Sequence, residues 1–218
     1  MFLTQFSEEE SFWLLVAVMS EEPYDMRFLF AEDMAGVQET LYVAEKLVKK
    51  FLPKLGRHFE NENINMSMFA TQWVMTIFTS TFSFDLVVRV WDSFFVEGWK
   101  VVYRVILAIM EQAQDDLLGL DMEGILTYLR DEVPSKIDAQ RIMKACLKIP
   151  LRNRHIRKYS SEWRSGQKYH KRLSDHTDSV ESGSESFSSS GLVMKRLHSV
   201  GANGKHMAKK LLPGLTTT

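Results

Sequence analysis

The sequence predicts an all-α protein, and three observations carry that prediction. Apolar residues recur at spacings of three and four along most of the first 150 residues, as at Val37, Leu41, Ala44 and Leu47. This spacing places them on one face of a helix. Capping residues precede several of these stripes. No window alternates apolar and polar residues between hairpin turns, so no sheet is predicted.

The first predicted helices begin at Ser7 and at Met34. Ser7 and Glu10 form a capping box that opens a helix through residues 12–19, whose apolar residues surround the whole helix and predict burial on most sides. The next stripe runs from Met34 to Phe51. Pro53 is expected to end or kink that helix, with a further short helix after it.

Two apolar helices joined by a short break are predicted within residues 69–98. Ser67 is expected to cap the first, which carries residues 70–79, and Ser83 to cap the second. Gly98 stands where a helix commonly ends with a glycine.

Three further helices are predicted after Gly98. An apolar stripe runs through residues 99–113, and Asp121 is expected to cap a helix over 122–132 that Pro134 stops. An amphipathic helix over 138–149 carries Ile142 and Cys146 on one side.

The composition changes after Pro150. Residues 151–172 are basic and predict a terminal helix or linker, whereas residues 173–218 are rich in serine and glycine and predict a disordered tail. Residues 151–218 carry a net charge of +8, and residues 1–150 carry −9. An acidic body argues against nucleic acid as a partner, because phosphate binding requires clustered positive charge.

The composition also excludes several kinds of site. Cys146 is the single cysteine, so an internal disulfide and a cysteine-rich metal site are ruled out. The histidines show no ligand spacing, so neither a metal nor a cofactor is predicted. The longest apolar run, residues 12–19, is far shorter than the roughly 20 residues that a bilayer requires. A cytoplasmic location is therefore expected, with peripheral attachment to endomembranes as a further expectation.

The motifs of residues 69–98 resemble a known family. ATQW at residues 70–73, RVWD at 89–92 and EG at 97–98 occur in the order and spacing of the TBC domain, which activates Rab GTPases. SEEESFWLLVAVM at 7–19, FLPKLGRHFE at 51–60 and DMEGILTYLRDEVP at 121–134 extend the resemblance over residues 2–147. The motif residues that the resemblance singles out, as structural, are Ala70, Gln72, Trp73, Arg89, Trp91, Asp92, Glu97 and Gly98.

The resemblance implies a mechanism whose residues these 218 positions do not contain. In the family, an arginine from Ile-x-x-Asp-x-x-Arg and a glutamine from Tyr-x-Gln enter the GTPase site. No isoleucine here has an aspartate three residues later, and no tyrosine has a glutamine two residues later. The chain is therefore predicted to cover the C-terminal two-thirds of the domain, to begin just after the catalytic elements and to be inactive alone. The alternative is a non-catalytic module that binds a GTPase or acts as a scaffold.

Four further expectations concern individual residues and surfaces. Trp73, Trp91 and Trp99 are expected in the core. Asp92, beside Trp91, is expected to be semi-buried and to pair with Arg89. A helical domain without its first third is also expected to expose apolar surface. The basic segment 151–172, with its interleaved aromatic residues, could lie on an anionic membrane.

Overall fold

Helices make up every regular element that the structure describes. The computed structural model describes residues 2–20 and 22–181, with the side chains up to residue 167 except that of residue 32. The described part contains ten α-helices, with short 3-10 segments at Phe2–Thr4, Met26–Phe30, Glu32–Met34 and Met66–Met68. The ten are α1 Glu8–Ser20, α2 Ala35–Phe51, α3 Pro53–Asn61, α4 Thr71–Met75, α5 Phe84–Glu97, α6 Trp99–Leu117, α7 Met122–Thr127, α8 Val133–Lys136, α9 Ala139–Lys148 and α10 Asn153–Glu181.

Two long helices, α2 and α6, form the centre of the fold. They pack against each other, α5 and α9 lie on α6, and α3 and α10 lie on α2. Burial extends around most of α6, because its neighbours contact it from several sides. The predicted all-α class is confirmed.

The predicted caps have different outcomes. The capping box is confirmed, because the Ser7 amide donates to Glu10 Oε2 at 3.0 Å and the Glu10 amide donates to Ser7 Oγ at 3.4 Å. Asp121 caps α7 by accepting a hydrogen bond from the Gly124 amide at 2.9 Å. Ser83 stands at the N-cap of α5 without a side-chain hydrogen bond to the helix. The predicted Ser67 cap is wrong, because α4 begins after Ala70.

The prediction that Pro134 stops a helix is also wrong. A wide π-helical turn, Tyr128–Glu132, follows α7 and leads directly into α8. Pro134 lies in the first turn of α8, where its missing N–H is not needed. The helical path therefore continues to Lys136.

The predicted burial of α1 is wrong as well. Only Ser11 and Val18 of this helix are buried, and its strongest contacts are with the Met26–Phe30 and Phe2–Thr4 segments. These two short segments are too small to cover all of the apolar residues of α1.

The basic segment after Pro150 forms a helix rather than a linker. α10 continues to Glu181, past the predicted start of the disordered tail at residue 173. Residues 182–218 of that predicted tail lie outside the described residues. Among the described helices, none combines the length and apolar composition that crossing a bilayer requires.

Candidate functional site

The ATQW motif lies at the start of α4, and the side chain of its tryptophan is buried in the core. Ala70 is the fully buried N-cap residue, and Trp73 follows with about 2% of its surface exposed. The Trp73 ring packs edge-on against Phe82 and Phe69, with ring centroids 5.2 and 5.4 Å away. The expected core position of Trp73 is therefore confirmed.

The helix that carries ATQW is shorter than predicted. α4 ends at Met75, and Ile77 and Phe78 follow with φ of 43° and 64°. A positive φ is unfavourable for these residue types, most of all for β-branched isoleucine. Both side chains are fully buried, and the Phe78 amide donates to the Trp73 carbonyl at 2.8 Å. This burial stabilises a turn that local sequence preferences disfavour.

The RVWD motif of α5 is joined to that turn through its tryptophan. The buried Trp91 donates from its indole Nε1 to Thr79 Oγ1 at 3.1 Å. Its ring also meets Phe2 edge-on, at a centroid distance of 5.0 Å. Trp91 therefore links α5, the turn after α4 and the first described segment of the chain.

Glu97 and Gly98 make the junction between α5 and α6. Glu97 accepts a hydrogen bond from Arg104 Nη1 at 2.7 Å and forms an ion pair with Lys100 Nζ at 3.1 Å. Gly98 has φ of 61° and ψ of −148°, a conformation essentially restricted to glycine. Its amide donates to the Phe94 carbonyl at 2.8 Å. The partly buried ion pairs and this glycine together fix the angle between the two helices.

Three motif residues point to solvent instead: Gln72, Arg89 and Asp92. The predicted pairing of Arg89 with a semi-buried Asp92 is wrong. Asp92 is exposed, so its carboxylate keeps its hydration, and Arg89 pairs with Asp85 one turn earlier, with Nε 3.1 Å from Oδ1. Such an exposed pair contributes little to stability.

The single cysteine is not a candidate nucleophile. Burial raises the pKa of the Cys146 thiol to about 12, although the charge of Arg104 opposes that shift. No three His, Cys, Asp or Glu side chains gather into a metal-binding group within the described part of the chain. The described residues thus form a packed scaffold, and the polar motif residues Gln72, Arg89 and Asp92 lie on its surface.

Two residues of this region were not singled out by sequence reasoning: Thr79 and Arg104. Thr79 accepts the Trp91 hydrogen bond, and Arg104 pairs with Glu97 from the second turn of α6. Helical spacing did not predict the ion pair, because Gly98 interrupts the helix between Glu97 and Arg104. No local pattern identified Thr79, because its contact depends on the turn at Ile77 and Phe78.

A second feature of the surface is an apolar face along α1 and the segment before it. The exposed apolar side chains there are Leu3, Phe6, Phe12, Trp13, Leu15 and Val16, with Trp13 61% exposed. Phe12 and Trp13 pack edge-on at 5.3 Å. The expected exposed apolar surface is therefore present, and contiguous faces of this kind mark interaction sites.

The motifs and the helical packing agree with comparisons to known proteins. Residues 1–118 match the model of the Rab-GTPase-TBC domain, which covers α1 to α6. The chain belongs to the Rab-GTPase-TBC domain family. The resemblance inferred from ATQW and RVWD is confirmed.

Several curated TBC proteins are similar over most of the chain. The ecotropic viral integration site 5 protein of Mus musculus is 32% identical over 161 residues, which is 73% of this chain and 20% of that protein. The Rab GTPase-activating protein eat-17 of Caenorhabditis elegans is 33% identical over 181 residues, 82% of this chain and 20% of that protein. The chain therefore spans about a fifth of the length of these relatives.

Solved TBC domains share the fold. The Chlamydomonas flagellar RabGAP TBC domain has a TM-score of 0.56 and 28% identity, over 66% of this chain and 46% of that chain. The Ypt/Rab-GAP domain of Gyp1p has a TM-score of 0.56 over 74% of this chain and 50% of that chain, with 19% identity, which supports the fold alone.

Proposed function

We propose that this TBC-family chain engages a small GTPase of the Rab class in vesicle trafficking, and that its 218 residues alone do not accelerate GTP hydrolysis. One sequence observation supports the second part: no Ile-x-x-Asp-x-x-Arg and no Tyr-x-Gln occurs among them. In the TBC mechanism these two motifs supply the catalytic arginine and glutamine.

The chemistry explains why the two missing side chains matter. An arginine in the GTPase site neutralises charge that develops on the transferred phosphoryl group, and a glutamine orients the attacking water. An arginine finger alone is worth roughly 10³ to 10⁵ in rate. Arg89 and Gln72 are an exposed arginine and glutamine of this chain, but they lie in RVWD and ATQW, which are not the finger motifs.

The test is a single-turnover hydrolysis assay over a panel of Rab GTPases loaded with GTP. The expected result is an unchanged hydrolysis rate with every Rab, while a TBC protein that carries both motifs accelerates its own Rab in the same assay. Acceleration of any panel member by the 218-residue polypeptide refutes the proposed inactivity.

A second candidate function is binding without catalysis, as a scaffold or competitor. The observation that favours it is the exposed apolar face around Phe12, Trp13 and Leu15. Capture of a GTP-loaded Rab without a change in its hydrolysis rate supports this function. Failure to retain any Rab of the panel on the immobilised chain contradicts it.

We also propose that the basic segment 151–172 brings the chain to an anionic membrane. The cations of this segment support the idea, but its aromatic residues do not. The Trp163 ring packs on Tyr42 of α2 at a centroid distance of 5.2 Å, and Tyr159 packs against the core. Any membrane contact therefore depends on residues other than these two.

A further inference from the structure

About half of the described cations that form no ion pair lie on α9 and at the neighbouring ends of α2 and α10. Most other described cations pair with a carboxylate, as Lys49, Arg104 and Arg164 do. Six exposed cations of α2, α9, the residue before α10 and the first turn of α10 form no ion pair among the described side chains. We call them the basic surface: Lys50, Arg141, Lys144, Lys148, Arg152 and Arg154.

Contacts around His155 bring α2 and α10 together within this surface. The His155 ring packs on Phe51 at a centroid distance of 5.8 Å, and its Nδ1 accepts a hydrogen bond from the Arg152 amide at 3.4 Å. Lys50 Nζ lies 5.9 Å from the centroid of the same Phe51 ring. Burial and the charges of Lys50, Arg154, Arg152 and Lys158 lower the pKa of His155.

Helix α9 supplies the other half of the surface. Its buried side carries Ile142 and Cys146. Because each residue of a helix advances by about 100°, Lys144, Leu147 and Lys148 fall on the opposite half. All three are exposed, and Leu147 is 75% exposed although it is apolar.

A cleft of about 590 Å³ lies between α9 and the end of α2. Arg141, Lys144 and Lys148 line one wall, and Phe51 and Leu52 line another. Two carboxylates also line it, those of Glu111 and Asp138. The Asp138 carboxylate accepts the Arg141 amide hydrogen at 2.6 Å as the cap of α9, so part of its charge is already engaged. Positively charged side chains therefore outnumber carboxylates around the cleft.

We propose that the basic surface docks on an anionic bilayer and that Leu147 inserts among the lipid headgroups. Clustered lysine and arginine beside one exposed apolar side chain is the combination that a phosphatidylserine-containing leaflet attracts. The inference deepens the proposed membrane contact by assigning it to α9 and the ends of α2 and α10. It is independent of whether the chain binds a Rab.

The test is co-sedimentation of the full 218-residue chain with phosphatidylcholine vesicles that contain or lack 30% phosphatidylserine. Binding is expected only with phosphatidylserine. The triple variant K144Q/K148Q/R152Q is expected to reduce the partition coefficient about a hundredfold, because each cation near the surface contributes about a fivefold factor. Leu147→Asn is expected to reduce it about tenfold.

The charge-matched control, R27Q/R89Q/R130Q, removes three exposed cations from outside the basic surface, of which Arg89 and Arg130 are ion-paired. It is expected to bind vesicles within a few-fold of the unmodified chain. Equal losses in the two triple variants would overturn the proposal, because they would show a response to net charge alone. Binding to neutral vesicles, or binding to RNA in place of vesicles, would overturn it too.

Two further measurements distinguish a loss of membrane binding from unfolding of the variant and from a loss of Rab binding. Unchanged thermal unfolding of K144Q/K148Q/R152Q is expected, since all three side chains are exposed, and a lowered midpoint would show that vesicle loss came from unfolding. Rab capture by the same variant is expected to equal that of the unmodified chain. A parallel loss of Rab capture and vesicle binding would contradict the independence of the two surfaces.

Discussion

Gly98 shows how one residue sets the relation between two helices. Its backbone conformation between α5 and α6 is one that other residues adopt only with strain. A Cβ added there would stand 3.4 Å from Pro23 Cβ, an ordinary contact distance, so the cost of a side chain lies in the backbone conformation.

Replacing Gly98 with alanine is expected to lower the free energy of unfolding by about 1–3 kcal/mol, through backbone strain. Denaturant unfolding followed by circular dichroism measures the change. Gly166→Ala is the matched control, because Gly166 lies within α10 and an added Cβ meets nothing within 4 Å. That variant is expected to be neutral or to gain up to about 1 kcal/mol from helix propensity. Equal effects of the two substitutions would refute the argument.

Cys146 offers a test of the core around α9. With its pKa raised to about 12, only about one thiol in 10⁴ is ionised at pH 8. Ellman's reagent is therefore expected to leave the native chain almost unmodified and to titrate one thiol in denaturant. Rapid reaction in native buffer would show that α9 is not packed on α6 as described.

At the scale of elements, α1 depends on its cap more than on packing. Few of its side chains are buried, so the hydrogen bonds between Ser7 and Glu10 carry much of its stability. The cap also lowers the pKa of Glu10, through the hydrogen bonds from Ser7 to its carboxylate.

Ser7→Ala is expected to destabilise α1 by about 1 kcal/mol, since it removes a side-chain cap. Amide hydrogen exchange of residues 10–12 measures the effect. Ser83→Ala is the control, because Ser83 stands at an N-cap but makes no side-chain hydrogen bond to α5. A loss of protection in α5 as large as that in α1 would mean that the observed cap geometry does not determine stability.

Helices α1 and α4 show what sequence can predict at this scale. A capping box is a local interaction between residues three apart, so Ser7 and Glu10 could be identified without the fold. The end of α4 at Met75 could not, because the left-handed Ile77 and Phe78 are stabilised by burial against distant residues. Asp92 is a different case, because the apolar stripe of Leu86, Val90 and Phe94 places residue 92 on the opposite side of α5, so its exposure could be predicted from the sequence.

At the scale of the whole molecule, the described part is a TBC scaffold with two surfaces that its own helices leave open. One is the apolar face of α1, and the other is the basic surface formed by α2, α9 and α10. The negative net charge of residues 1–150 gave no indication of the basic surface, because a charge count along the sequence does not show which cations lack an ion pair in the folded protein.

Family membership could be predicted from ATQW, RVWD and EG, because the order and spacing of these motifs can be read directly from the sequence. The structure adds that Trp73 and Trp91 of these motifs are buried, whereas Gln72, Arg89 and Asp92 are exposed. We infer that the buried members hold the helices together.

Our central proposal is that this chain acts on a Rab by binding alone, because its 218 residues contain neither finger motif. The most direct test is the single-turnover rate constant for GTP hydrolysis by the Rab it captures best, measured over increasing concentrations of the chain. The predicted result is a rate constant that stays at the intrinsic value even when the Rab is saturated with the chain. A rate constant that rises with chain concentration would contradict the claim.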